Sequence, residues 1–273
     1  MLRSDYHVHT SFSGDCDEPL DRVLQRACDL GLKEIAITDH MDLDFPSEAV
    51  NFDLDVPSYL ETLVWCRARW VDRIKLRVGL EVGLDISKKD RIASVLENND
   101  WDFVIGSLHC VDGKSMGEDG FFKGKTRDEA HGRYFEAMLD SVKAFSGFSV
   151  VGHMDFVRRY GAGVYGDRHS VIDRELHKDR IDEILRELVK RGIGLELNTS
   201  GLRYGLDAFH PGDWILRRYR ELGGEMITVG SDAHRLKDIA DDFFLAEGLL
   251  EALGFRYTCS FQGRTPRFYS LAA

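Results

Sequence analysis

Seven times along this chain a short β-branched run gives way to a stretch of helical periodicity. That repeated strand-then-helix order limits the folds open to the chain more than any other feature. Arg3 to Val8 is short and partly apolar; Leu20, Val23, Leu24 and Ala27 then recur at helical spacing, and Gly31 follows as a stop. Glu34 to Thr38 is the second strand, with a helix after the loop at Pro46 to Pro57 that carries Leu60, Leu63 and Val64 on one face. Lys75 to Leu80 precedes a helix opened by a Ser87/Asp90 capping box, and Phe103 to Ser107 precedes a long helix opened by a Thr126/Glu129 box and reaching about Phe145. Ser149 to Gly152 leads through an irregular stretch to a helix with Ile181, Ile184, Leu185 and Leu188 inward, ending at Gly192. Gly194 to Leu197 with a helix at Asp213 to Leu222, and Met226 to Val229 with Ala246, Leu249, Leu250 and Leu253 before Gly254, complete the series. A trailing strand is expected at Tyr257 to Phe261.

Such alternation predicts right-handed crossovers and a parallel sheet, which an open doubly wound sheet and a closed barrel satisfy equally. Neither an internal repeat nor a low-complexity linker interrupts it, so one domain over residues 1–273 is the economical reading. Two long loops, Cys110 to Lys125 and Met154 to Lys178, follow strands four and five. In a barrel they cover the carboxyl-terminal mouth, where barrel active sites lie.

Charge and composition narrow the partners. With 36 basic against 47 acidic residues the formal charge is −11, which argues against sequence-independent nucleic-acid binding and against an anionic membrane surface. No run of about 18 apolar residues is present to span a bilayer. Met1 to His7 lacks the apolar core of a signal peptide, and five scattered cysteines read as reduced thiols, so a cytoplasmic location is expected.

The residues just after each strand are more informative than the strands themselves. The predicted ends carry His7-Val8-His9, Thr38-Asp39-His40, Glu81, Ser107-Leu108-His109, Gly152-His153, Asn198-Thr199 and Ser231-Asp232-Ala233-His234. Six of the ten histidines thus sit at the carboxyl ends of five different strands. A single histidine there is ordinarily a hydrogen-bonded structural residue, but no packing rule gathers six. Neutral imidazole is the commonest metal ligand, and alternate residues of a strand point the same way, so His7 and His9 can grip one ion. Imidazole mixed with carboxylate suits Zn, Fe or Mn better than a cysteine-rich structural zinc site. Six histidines with Glu81 and Asp232 exceed the needs of one tetrahedral ion, so at least two divalent ions are implied.

These motifs, in this order and over Arg3 to Phe261, resemble the polymerase and histidinol phosphatase (PHP) family. Within it, Asp5-Tyr6-His7, Gly79-Leu80-Glu81, Arg159-Tyr160-Gly161 and Asn198-Thr199-Ser200 are most similar to the monofunctional histidinol-phosphate phosphatases. The resemblance implies a distorted (β/α)7 TIM-like barrel and hydrolysis of L-histidinol phosphate by a hydroxide bridging metal ions. It implies a first ion on His7, His9, Glu81 and Asp232, a second on Glu81, His109 and His153, and a third on His40, His234 and Asp15. Asp15 is otherwise a loop or cap residue before the helix. Arg159 matches a phosphate-contacting arginine of these enzymes. Their second such arginine follows Asn-Thr directly, where this chain has Ser200, so Arg203 either takes over that role from the loop or is solvated.

Three rivals stay open on sequence. A PHP phosphatase acting on phosphotyrosine or a nucleotide would share the metal site. A metal amidohydrolase also opens with His-x-His but bridges its metals with a modified lysine on strand four, where this chain has His109. A non-catalytic barrel with structural metals would need closed coordination. Of the remaining histidines, His131 and His177 are expected to be solvated, while His169 and His210 lie in loops able to cover the site. Cys110 is expected to serve packing, and Phe121, Phe122, Trp65, Trp70 and Trp101 packing or loop anchoring. Oligomeric state is not legible.

Overall fold

The structure, a computed structural model, describes residues 2–117, 120–166 and 171–271. Seven strands lie side by side in chain order, every neighbouring pair parallel: β1 (Ser4–Val8), β2 (Glu34–Ile37), β3 (Lys75–Gly83), β4 (Phe103–Ser107), β5 (Val150–Val151), β6 (Gly194–Asn198) and β7 (Ile227–Gly230). Sequential order already excludes the doubly wound sheet, in which the order reverses at a switch point. The last strand then returns to the first. Val8 and Ala233 form a parallel bridge, His9 N–H donates to the Ala233 carbonyl at 3.0 Å, and Asp232 N–H donates to that of His7 at 2.8 Å. Buried Asp5 fastens the seam, accepting from Ser231 N–H at 3.0 Å and Ala240 N–H at 2.9 Å. The register slips between Asp5 and Val8 in β1, so closure is irregular: a distorted (β/α)7 barrel.

Strand alternation sorts the side chains. In β3, Val78, Leu80 and Val82 face the surrounding helices, while Arg77, Gly79 and Glu81 turn inward. The lower interior is apolar, built from Tyr6, Ala36, Phe103, Ile105 and Val150, and an antiparallel hairpin of β8 (Tyr257–Gln262) and β9 (Thr265–Ser270) closes it with Cys259 and Phe261. Tyr6 donates to Glu34, which also takes the Arg77 guanidinium at 2.9 Å. With the floor sealed, the inward residues of the upper turn open only at the carboxyl-terminal mouth.

The helices match the periodicity with several differences. Helix Val56–Trp70 buries Tyr59, Leu63, Cys66 and Trp70, leaving Leu60 half-buried and Val64 48% exposed. Tyr59 sets this face: its hydroxyl meets the carbonyls of Ile37 and Gly79 and the N–H of Asp39, tying two strands together. Trp65 consequently points to solvent, not into packing. The Ser87/Asp90 box does not form; Asp85 caps a short 3-10 turn, Ile86–Lys88, and helix Lys89–Glu97 continues from it. The Thr126/Glu129 box is present as expected on helix Arg127–Ala144. His131 and His177 are not solvated: they are buried in the seam between that helix and Arg174–Arg191, ring centroids 6.1 Å apart. The irregular stretch after β5 contains a helix, Val157–Tyr165, and a single turn, Ser200–Arg203, follows β6. The five cysteines are free thiols, and no helix among the described residues is long and apolar enough to cross a membrane.

Candidate metal centre

The period of two that faces Arg77 and Gly79 inward carries Glu81 to the middle of the mouth, where it is fully buried. Five imidazoles converge on it. Glu81 Oε2 lies 3.1 Å from His7 Nε2, 3.5 Å from His9 Nε2 and 3.0 Å from His40 Nδ1; Oε1 lies 2.8 Å from His153 Nε2 and 3.3 Å from His109 Nε2. Asp232 flanks the group, its Oδ1 3.5 Å from His9 Nε2 and 3.6 Å from His234 Nδ1. Asp232 holds φ +53°, a left-handed backbone that aspartate tolerates better than most residues. Asp15 Oδ2 reaches His234 Nε2 at 3.2 Å and His40 Nε2 at 3.8 Å. All nine residues singled out in the sequence as metal ligands therefore meet in one place.

Among the described residues, four overlapping sets bring their ligand atoms within 4.8 Å of one another: His9/His40/His234, His7/His9/Asp232, His7/Glu81/His153 and His40/Asp42/His109. Several of these atoms are buried with no hydrogen-bond partner, among them His7 Nε2, His9 Nε2, His40 Nδ1, His234 Nε2 and Glu81 Oε2. Buried polar atoms are ordinarily satisfied, so a gathering of orphans that face one another is what a site for cations leaves behind. The donors fit borderline divalent ions of the zinc type: imidazole and carboxylate without thiolate.

Behind the cluster sits a layer of groups that the sequence reading passed over. Glu196, inward on β6 and 1% exposed, accepts from His7 Nδ1–H at 2.6 Å and from His153 N–H at 2.8 Å. Asp42 accepts from His109 Nδ1–H at 2.8 Å, and Ser13 Oγ lies 3.0 Å from His9 Nδ1. A proton held on Nδ1 of His7 and His109 would leave each Nε2, once deprotonated by an incoming metal ion, as the lone pair that faces the cavity. Alternation from Asn198 was the available signal for Glu196, as was alternation from His40 for Asp42. Electrostatics agree with mixed charge: burial alone raises Glu81, but His7, His40 and His109 outweigh it and hold the carboxyl well below its usual range. Burial, reinforced by His234 and His40, pushes His9 well below the ordinary imidazole value and keeps it neutral.

Above the cluster is a cavity of about 440 Å³, with an aromatic wall that includes Phe52, Phe156, Tyr160 and Tyr204. Both arginines named from the sequence line it. Arg159 lies between the rings of Phe156 and Tyr204, 4.6 and 4.1 Å from their centroids, and donates to Ser200 Oγ at 2.6 Å and Asp232 Oδ2 at 2.8 Å. Arg203 donates from Nη2 to the carbonyls of Ser231 and Asp232, both at 2.9 Å, leaving Nη1 buried without a partner. It is held at the site and is not solvated. His210 does not cover the mouth: it is fully buried and bonds Asp155 at 2.5 Å. His169 lies outside the described residues.

The PHP domain family model matches residues 5–200. A histidinol-phosphatase of Lactococcus lactis is 34% identical over 265 residues, 96% of each chain. A solved structure of the L. lactis histidinol phosphate phosphatase, in complex with zinc, L-histidinol and phosphate, superposes with a TM-score of 0.86 at 30% identity, covering 98% of this chain and 100% of that one. A second solved structure, from Listeria monocytogenes, has a TM-score of 0.79 at 21% identity, with 89% and 99% covered, and bears on the fold alone.

Proposed function

The chain belongs to the PHP domain family, and from that premise we propose that it hydrolyses L-histidinol phosphate to L-histidinol and inorganic phosphate. The observation that carries this reading is the set of mutually facing, unpartnered imidazole and carboxylate atoms beneath a cavity that two arginines line. Its near relative of 30% identity, solved with zinc, L-histidinol and phosphate, supplies the substrate. The whole of 1–273 is read as one phosphatase domain, supported by a core running from Leu2 to Leu271. Free thiols support a cytoplasmic setting.

In this reading His7, His9, Glu81 and Asp232 would hold one divalent ion, Glu81 with His109 and His153 a second, and His40, His234 and Asp15 a third. Bound there, such ions lower the pKa of water to near neutrality and neutralise phosphoryl oxygens. The protein's own groups do the rest. Glu196 and Asp42 keep their imidazole protons on the far nitrogens. Arg159, its plane fixed between two rings, presents donors to the phosphoryl group, and the free Nη1 of Arg203 adds another. The aromatic wall limits bulk water around the reacting ester.

Metal analysis combined with phosphate release tests this. At least two transition ions per chain are expected, with kcat/KM highest for L-histidinol phosphate among that ester, phosphotyrosine and a nucleoside monophosphate. Fewer than two ions would remove the multinuclear site. Stronger turnover of phosphotyrosine or the nucleotide would reassign the substrate.

A further inference from the structure

One acidic side chain in the cavity is used neither by the proposed metal positions nor by any hydrogen bond among the described residues. Asp238 ends the short turn Leu236–Asp238 after β7 and lines the cavity beside Arg203 and Tyr204. Its side chain is 10% exposed, and its one ion pair among the described residues, to Arg203 Nε at 3.9 Å, is too long for a hydrogen bond. The other cavity carboxylates differ: Asp15 and Asp232 are both among the proposed metal ligands, and Asp232 also accepts from Arg159 at 2.8 Å. A largely buried carboxylate with no hydrogen-bond donor and only a long ion pair is incompletely compensated, and a cation entering from the cavity can supply a closer partner. Arg203 offers only that long contact, its Nη2 being committed to two backbone carbonyls.

We propose that Asp238 determines specificity by receiving the ammonium group of the substrate, an inference that rests on the phosphoester reading above. L-Histidinol phosphate carries its amine on the carbon next to the ester methylene, so phosphoryl group and ammonium are fixed a few bonds apart. Arg203 spans from the Asp232 carbonyl to Asp238, which places the acid within one guanidinium of the cluster. An aminoalkyl phosphate of two carbons can bridge that gap, anion on the metal side and cation on Asp238. The remaining charged residues of this wall, Arg235 and Lys237, are cationic. Asp238 therefore gives the cavity a polarity that orients a zwitterionic ester and does nothing for a plain one.

The test compares L-histidinol phosphate with imidazolylpropyl phosphate, the same ester without its amine, on the metal-loaded wild type and on Asp238→Asn. Wild type is expected to prefer the amino ester by about 10- to 100-fold in kcat/KM, the range for a hydrogen bond to a charged group. Asp238→Asn should bring the two esters to within about threefold of each other. A wild-type ratio near one overturns the inference whether or not the variant folds. Equal losses on both esters also overturn it, because Asp238 would then act by orienting Arg203. Release of phosphate from neither ester by wild type defeats the phosphoester reading itself, and the inference with it.

Discussion

Replacing Glu196 by Gln probes a residue outside the cavity wall that nevertheless fixes two of its ligands. Three donors surround this carboxylate: His7 Nδ1–H meets Oε1 at 2.6 Å, while His153 N–H and Asn198 Nδ2–H meet Oε2 at 2.8 and 3.2 Å. The fit is close, because a Cβ added at Gly230 would stand 2.5 Å from Oε1 and one at Gly152 3.4 Å from Oε2. Glutamine fills the same volume but has one acceptor and one donor end. If its oxygen takes the His153 side, its amide faces His7 Nδ1, and His7 relieves the clash by moving its proton to Nε2, the nitrogen that looks into the cluster. The opposite orientation leaves a buried backbone N–H against an amide donor, costing about 1–3 kcal/mol. Either way His7 or His153 is compromised, and metal affinity should fall about 10- to 100-fold, the usual effect of losing a partner behind a ligand. Chelator competition reads the affinity, and 15N NMR of the imidazoles reads the tautomer. Metal affinity within about threefold of wild type, with the His7 proton still on Nδ1, would refute the reasoning.

Arg159→Ala should cut kcat/KM for the phosphate ester by about 100-fold while metal content by elemental analysis stays at the wild-type level, since charge-assisted donors to the phosphoryl group are lost and no proposed ligand is. Lost metal would make Arg159 structural. Leu63→Ala, at a fully buried position, should destabilise by about 2–5 kcal/mol in urea unfolding, whereas Val64→Ala, 48% exposed, should fall within about 0.5 kcal/mol of wild type. Burial, with His177 and Arg127 nearby, lowers His131 to about 4 from its ordinary value of 6.5. Unfolding therefore takes up a proton between those values, so stability falls as pH drops from about 6.5 towards 4, by about 3 kcal/mol at the acid limit. His131→Leu should flatten that limb of the curve, and an unchanged slope would assign acid sensitivity elsewhere.

Much of this was legible because the relevant signals are local. A β-branched run before an apolar stripe specifies strand and helix by backbone preference and burial period alone, and each barrel strand begins within a residue of its expected start. The positions of His7, His9, His40, Glu81, His109, His153, Asp232 and His234 after those runs fixed where they would stand, because a parallel strand delivers its carboxyl end to one face. Where the reading failed, long-range contacts decided. The face of helix Val56–Trp70 was set by Tyr59 tying β2 to β3, not by the leucine and valine spacing. Helix Val157–Tyr165 holds two glycines and a buried arginine, so its own sequence carries little helical signal, and packing against the mouth completes it. His131 and His177 looked like surface residues on polar helices, yet two helices meeting side by side enclose them.

By itself, then, the sequence determined the alternation of strands and helices along the chain and which ligand types would be delivered to the strand ends, since both depend on residues close together along the chain. The tertiary structure decided that the sheet closes, and closure is what brings β7 against β1 so that Asp232 and His234 face His7 and His9. It also decided which groups stand behind the ligands. Alternation from Asn198 and His40 marks Glu196 and Asp42 only as inward-facing, and they become partners of His7 and His109 because the curvature of the barrel points them at rings 189 and 67 residues away along the chain.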